Sequence, residues 1–151
     1  MSAYSFLDVV ATITGVGGSV NLAADAGVAE EGISIEPVND KSTMTIGADG
    51  RGMHSLSADR SATVTIRLLK TSSTNAKLQQ MYNLQTASSA AHGSNSITVR
   101  DTARGDSHNL EGVAFKKQPA VSYAKEAEML EWTFDAIKWT PGLGSGTPAL
   151  L

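Results

Sequence analysis

Residues 61–69 alternate without interruption. Val64, Ile66 and Leu68 fall on one side, and Thr63, Thr65 and Arg67 on the other. A period of two marks a β-strand with one buried face. The same period runs through residues 5–14, where Leu7, Val9, Ala11 and Ile13 oppose Asp8, Val10 and Thr12. The glycines at 15, 17 and 18 then turn the chain and SVNLA returns it, so residues 5–23 are expected to form a hairpin. ADAGVAEEG reads as a loop, and ISIEPV as a strand with Ile33 and Ile35 on one face. Pro37 cannot donate to a ladder, which puts that strand at an edge or interrupts it.

Two further alternating runs follow the turn at Asn39–Lys41. Met44 and Ile46 oppose Thr43 and Thr45; Met53, Ser55 and Ser57 oppose His54, Leu56 and Ala58. One segment changes period. SSTNAKLQQMYNLQ sets Leu78, Met81 and Tyr82 at helical spacing, with Ser72, Ser73 and Thr74 as candidate caps. It predicts a helix near residues 73–86. Strands are expected again at SITVRD, LEGVAFKK and EMLEWTFDAIKW, the last with Leu130, Trp132 and Phe134 on one face. Residues 141–151 read as a flexible C-terminal tail. Eight or nine strands, one helix and no βα alternation predict a mainly β fold. Two packed antiparallel sheets, a sandwich or open barrel, would carry the single flanking helix, all in one domain over residues 1–151.

Composition narrows the chemistry. The chain has no cysteine, which excludes disulfides, thiolate catalysis and iron–sulfur clusters. Its net charge is −3 and it shows no basic face for stable nucleic-acid binding. Charged residues make up 18%, against about 25% in ordinary soluble domains. Small residues replace them, which suits a surface partly covered by partners. No segment approaches the roughly 20 apolar residues of a membrane span. The start of the chain has no basic region and carries Asp8 within its apolar run, so a soluble protein made in the cytoplasm is expected.

Candidate sites each have a plainer reading beside them. GADGRGMH is glycine-rich like a phosphate loop, but it lacks the Lys-Ser/Thr pair and leads into a strand, so a turn is favoured. GVGGSV fails for the same reason, since a dinucleotide loop must open a helix. His54, His92 and His108 share no metal-ligand spacing. Glu131 and Asp135 share a strand face and could act as a carboxylate pair, although solvated acids are far commoner. Arg100, Asp101, Arg104 and Asp106 alternate in sign around a turn, which local ion pairing explains. Short hydroxyls recur on one face of several strands: Thr43 and Thr45, Ser55 and Ser57, Thr63 and Thr65, Ser96 and Thr98. Such faces suit either the solvent side of a sandwich or the lining of a water-filled space.

The run AEEGISIEPVNDKSTMTIGADGRGMHSLSADRSATVTIRLLKTSSTNAKL, with MYNLQTASSA, ITVRDTARGD and EWTFDAIKW, resembles the tail tube proteins of contractile-tailed bacteriophages. The resemblance spans about residues 4–139. It implies a fold shared with the type VI secretion tube, in a structural virion protein that is not an enzyme and needs no cofactor or metal. Hexameric rings would join their inner sheets into one barrel and stack into a hollow tube. The implied partners are further copies of the chain, the sheath, the tape measure protein, and the baseplate and tail terminator proteins. DNA would be met in transit only, without stable binding. Assembly would occur in the host cytoplasm and the product would reside in the virion tail. On this basis Thr43, Thr45, Thr63, Thr65 and Arg67 are expected to face the lumen. Loops carrying Asp25, Glu30 and Glu31, and Asp49 and Arg51, are expected between rings. The related alternatives are a type VI secretion or bacteriocin tube, or a baseplate ring protein. A carbohydrate-binding β-sandwich is the rival of another class, with only Trp132 and Trp139 as platforms, on opposite faces if their strand is regular.

Overall fold

In the computed structural model, residues 4–23 and 28–145 are described. A short 3-10 turn at Phe6–Asp8 leads into β1 (Val9–Gly15), followed by β2 (Gly18–Asn21), β3 (Val28–Pro37), β4 (Ser42–Ile46), β5 (Gly52–Leu56) and β6 (Ala62–Leu68). The helix α1 (Thr74–Thr86) comes next, then β7 (Asn95–Asp101), β8 (Asp106–Phe115) and β9 (Leu130–Gly142). Seven strands form one antiparallel sheet in the order β2-β1-β7-β8-β9-β6-β3; β4 and β5 pair only with each other. The mainly β, antiparallel reading therefore holds, as one large curled sheet and a small second one.

Alternation does what the sequence predicts in β6. Ala62, Val64, Ile66 and Leu68 are fully buried between β3 and β9, while Thr63, Thr65 and Arg67 take the other face. Each buried Val, Ile or Leu contributes about 1.5–3 kcal/mol. The curl brings Ile33 and Ile35 of β3 and Phe6 of the N-terminal turn into the same core as Val9, Ile13 and Ile97. Leu7 departs from its expected inward direction. The 3-10 turn breaks the period of two, so Phe6 packs and Leu7 is exposed.

The helix lays Leu78 and Met81 on the sheet and sets Tyr82 edge-on to Phe115, 5.6 Å away. Phe115 in turn contacts Trp132 and Phe134 at 5.8 and 4.8 Å. The helix starts without a side-chain cap from Ser73; Ser72 Oγ instead accepts the amide of Thr74. The Trp132 indole donates to Asn75 Oδ1 (3.1 Å), and the Asn75 amide donates to Leu69 O, which locks the helix start to β6 and β9.

Three boundaries differ from expectation. β3 begins at Val28, because Val28 pairs with Leu68 before a register shift. Gly32, at φ +66°, supplies the backbone conformation that the irregularity needs. Glu30 and Glu31 are thus strand residues, not loop residues. β8 begins at Asp106, inside the segment read as a turn. β9 continues to Gly142, with Pro141 opposite His108 and Gly142 opposite Ser107, so the first residues of the expected tail are strand. Residues 146–151 of that tail lie outside the described residues.

Trp132 and Trp139 also depart from the regular-strand expectation. Val113 faces Ala136 and Leu110 faces Trp139, yet both pairs point to the core. β8 and β9 change face together between these pairs, at Gly112 and Ile137. Gly112 has φ +63°, open to glycine at little cost, and Ile137 is turned outward.

Candidate assembly surfaces

The β4–β5 hairpin stands apart from the large sheet, and all ten residues of its strands are exposed. Antiparallel partners share a face, so the register sorts its side chains. Met44 lies opposite His54, and Ser42 opposite Leu56, with Ile46 completing this face. Thr43 faces Ser55 and Thr45 faces Met53 on the other. The first face is mainly apolar and has no cover among the described residues: Met44, Ile46 and Leu56 are 62%, 55% and 81% exposed. A lone two-stranded hairpin is marginal in water. An uncovered apolar face on one points to a further partner.

At its tip, Gly47 N donates to Arg51 O (2.7 Å) and Gly50 N to Gly47 O, with Gly50 at φ +87°. GADGRG is therefore the hairpin turn that its sequence suggested. Asp49 accepts the Arg51 amide, and the two side chains make an ion pair of 3.6 Å in open solvent.

The second surface is the sheet face opposite the core. Cross-strand pairing sets Thr63 beside Asp135, Thr65 beside Thr133, and Arg67 beside Glu131. The Thr63 hydroxyl donates to Asp135 Oδ1 (3.5 Å), and Arg67 pairs with Glu131 at 3.3 Å. Glu131 and Asp135 each have a neutral or cationic partner on β6 and do not form a carboxylate pair with each other. Of the five residues expected at the lumen, Thr63, Thr65 and Arg67 therefore share one sheet face. Thr43 and Thr45 sit on the hydroxyl face of the separate hairpin. Of the expected inter-ring residues, Asp49 and Arg51 occupy the hairpin tip, Glu30 and Glu31 lie on β3, and Asp25 falls outside the described residues.

The third feature is the pair of sheet edges. β2 ends the sheet on one side and β3 on the other. Unpaired edges invite strand addition.

The remaining sequence candidates do not converge. His54 is on the hairpin, His92 precedes β7, and His108 accepts the Trp139 indole at 3.2 Å. No cluster of three metal-ligating side chains occurs among the described residues. Asp101 accepts the amides of Ala103 and Arg104 and lies 3.6 Å from the Arg104 guanidinium, the local pairing that the sequence suggested. Asp106 accepts the amide of Gly144 instead. Trp132 is buried and unavailable as a sugar platform.

A curled antiparallel sheet ending in β2 and β3, a flanking helix and a separate two-stranded ribbon make up the described fold. The model of the family described as Bacteriophage PhiTE tail tube protein matches residues 1–144. The chain belongs to this family of tail tube proteins. No curated protein matches it in sequence. Among solved structures, this tail tube protein is similar to a chain of the anti-feeding prophage cap, with TM-score 0.61 and 14% identity over 95% of this chain and 93% of that one. It is equally similar to a chain in the tail of an empty GTA particle of C6 symmetry, at TM-score 0.61 and 14% identity, covering 95% and 100%. A chain of the PVC sheath–tube complex, an extracellular contractile injection system, matches at TM-score 0.58 and 9% identity, covering 89% and 88%. At these identities the likeness is one of fold. Family membership makes the chain a component of the virion tail.

Proposed function

We propose that this tail tube protein, a single domain without enzymatic activity, builds the hollow wall of the tail as stacked hexameric rings. The tube would enclose the tape measure protein, lie within the sheath, and end at baseplate and terminator proteins. DNA would pass through it during infection. The observation that carries the reading is the β4–β5 ribbon, whose apolar face has no cover among the described residues. A neighbouring subunit supplies that cover, and the tip residues Asp49 and Arg51 meet the adjacent ring. The open edges of β2 and β3 suit a head-to-tail contact that closes on itself, removing edges that would otherwise aggregate. Glu30 and Glu31, on edge strand β3, belong to that lateral contact in this reading. Six-fold symmetry follows the GTA tail, whose chain shares the fold over nearly its whole length.

The face of Thr63, Thr65 and Arg67 lines the lumen, joined by the hydroxyl face of Thr43 and Thr45. Arg67 is paired with Glu131, and Asp135 shares the face with Lys116, so its charges nearly balance and passing phosphates would meet no surplus of positive charge. The absence of cysteine gives a clean test. Thr65→Cys in assembled tubes should react with small thiol reagents and resist reagents wider than the bore. Equal labelling by both would place this face outside.

A further inference from the structure

The ribbon is held at its root by backbone bonds from Ser57 N to Lys41 O (2.8 Å) and from Val38 N to Ser61 O (3.2 Å), and the side-chain contacts there converge on one residue. Asn39 donates to Asp59 Oδ2 at 2.6 Å, and the Ser61 amide to Asp59 Oδ1 at 2.8 Å. Lys41 Nζ reaches Asp59 O at 3.4 Å, and the Asp59 amide donates to Ser57 Oγ at 3.1 Å. Asp59 thus ties the segment entering β4 to the segment leaving β5. Its neighbour Arg60 fixes the tie to the large sheet: Trp139 N donates to Arg60 O (2.8 Å), and Arg60 Nη2 donates to Thr140 Oγ1 (3.3 Å). No strand of the ribbon pairs with a strand of the large sheet.

We infer that Asp59 is the positioning residue of the ribbon, setting its direction in the free subunit before any neighbour is met. This rests on the reading that the ribbon is an assembly arm. The carboxylate suits the task because it accepts from both flanks at once, and charge-assisted hydrogen bonds are short and strong. An arm already ordered loses less conformational freedom on docking, so each added subunit binds faster and more tightly. The depressed carboxyl of Asp59, held at about 2 by the Ser61 side chain, Asn39 and the Ser61 amide, agrees with a side chain that is fully engaged while exposed.

Amide exchange of the unassembled full chain tests the clamp independently of tube formation. In Asp59→Ala, exchange over residues 42–56 should rise about tenfold or more, the scale of a lost charged hydrogen-bond set. Exchange in β6 and β9 should stay at the wild-type rate. Asn39→Ala removes one donor far from the core and should give a smaller rise in the same residues. Unchanged exchange in the ribbon, or an equal rise across the large sheet, overturns the assignment. Tube growth is then measured separately. Slower growth of Asp59→Ala at unchanged melting temperature is the expected result. Wild-type growth from a loosened ribbon would overturn the positioning role, because direction in the free subunit would then not matter. If a ribbon stripped of its apolar face still assembled, the arm reading itself would fail instead.

Discussion

Gln85 and Asn95 hold each other by two reciprocal amide hydrogen bonds, 2.7 and 2.6 Å long, in a site sealed from water. Gln85 also donates to Val16 O, so one side chain of α1 ties the helix to β7 and to the β1–β2 turn. A Cβ at Gly15 would lie 1.7 Å from Asn95 Oδ1, which explains why that position carries glycine.

Breaking this pair leaves a buried amide unsatisfied. Asn95→Ala should cost about 2 kcal/mol. That corresponds to roughly 4–8 °C in melting temperature for a chain of this size. Gly15→Ala should cost about 2–4 kcal/mol, because its Cβ would push the Asn95 amide out of the buried pair. The double variant should be less destabilised than the sum, since both changes strike one network. Strict additivity in thermal melts would contradict the shared site.

Trp132 joins packing to polar order. Its ring meets Phe115 edge-on while its indole N–H donates to Asn75 Oδ1 at the helix start. Trp132→Phe keeps most of the apolar ring but takes the indole donor from Asn75 Oδ1, and should cost about 1–3 kcal/mol. Amide exchange should rise first in the opening turn of α1. A loss spread evenly over the sheet would count against the link.

Asp59 gives a pH dependence with a definite sign. Its carboxyl lies at about 2, against an ordinary 3.8, through donation by the Ser61 side chain, then Asn39, then the Ser61 amide. A lowered folded value stabilises the folded form fully above the unfolded value, and the contribution fades as pH falls through the folded one. The ribbon root should therefore be intact above about pH 4 and loosen between about pH 4 and 2. Carbon-detected titration of the Asp59 carboxyl, with amide shifts of Asn39 and Ser61, would read this directly. A midpoint near 3.8 would refute the clamp's strength.

The apolar face of the ribbon should matter to assembly and not to folding. Ile46→Lys with Leu56→Lys touches only exposed positions, so each change should shift stability by no more than about 0.5 kcal/mol. Negative-stain microscopy at high concentration should show rings or tubes for the wild type and single subunits for the variant. Tubes of normal width from the variant would remove the ribbon from the wall contact.

The sequence by itself determined the elements whose burial follows from local period. The alternation of Val64, Ile66 and Leu68 is β6, the stripe of Leu78, Met81 and Tyr82 is α1, and the glycines at 47 and 50 make a hairpin turn. Those signals lie within a few residues of one another, so they are legible without a partner. Pro37 likewise announced an edge or an interruption, because a missing amide cannot serve an inner strand, and β3 is an edge strand. The tertiary structure decided what depends on distant chain. The start of β3 at Val28 needed Leu68 as its partner, and Ala29–Gly32 carry no pattern that would reveal it. Trp139 joined the core only because Gly112 and Ile137 let two paired strands change face together. The β4–β5 strands alternate as well as any in the chain, yet they fell outside the main sheet. Alternation specifies that a face should be buried, and only three-dimensional closure specifies what buries it.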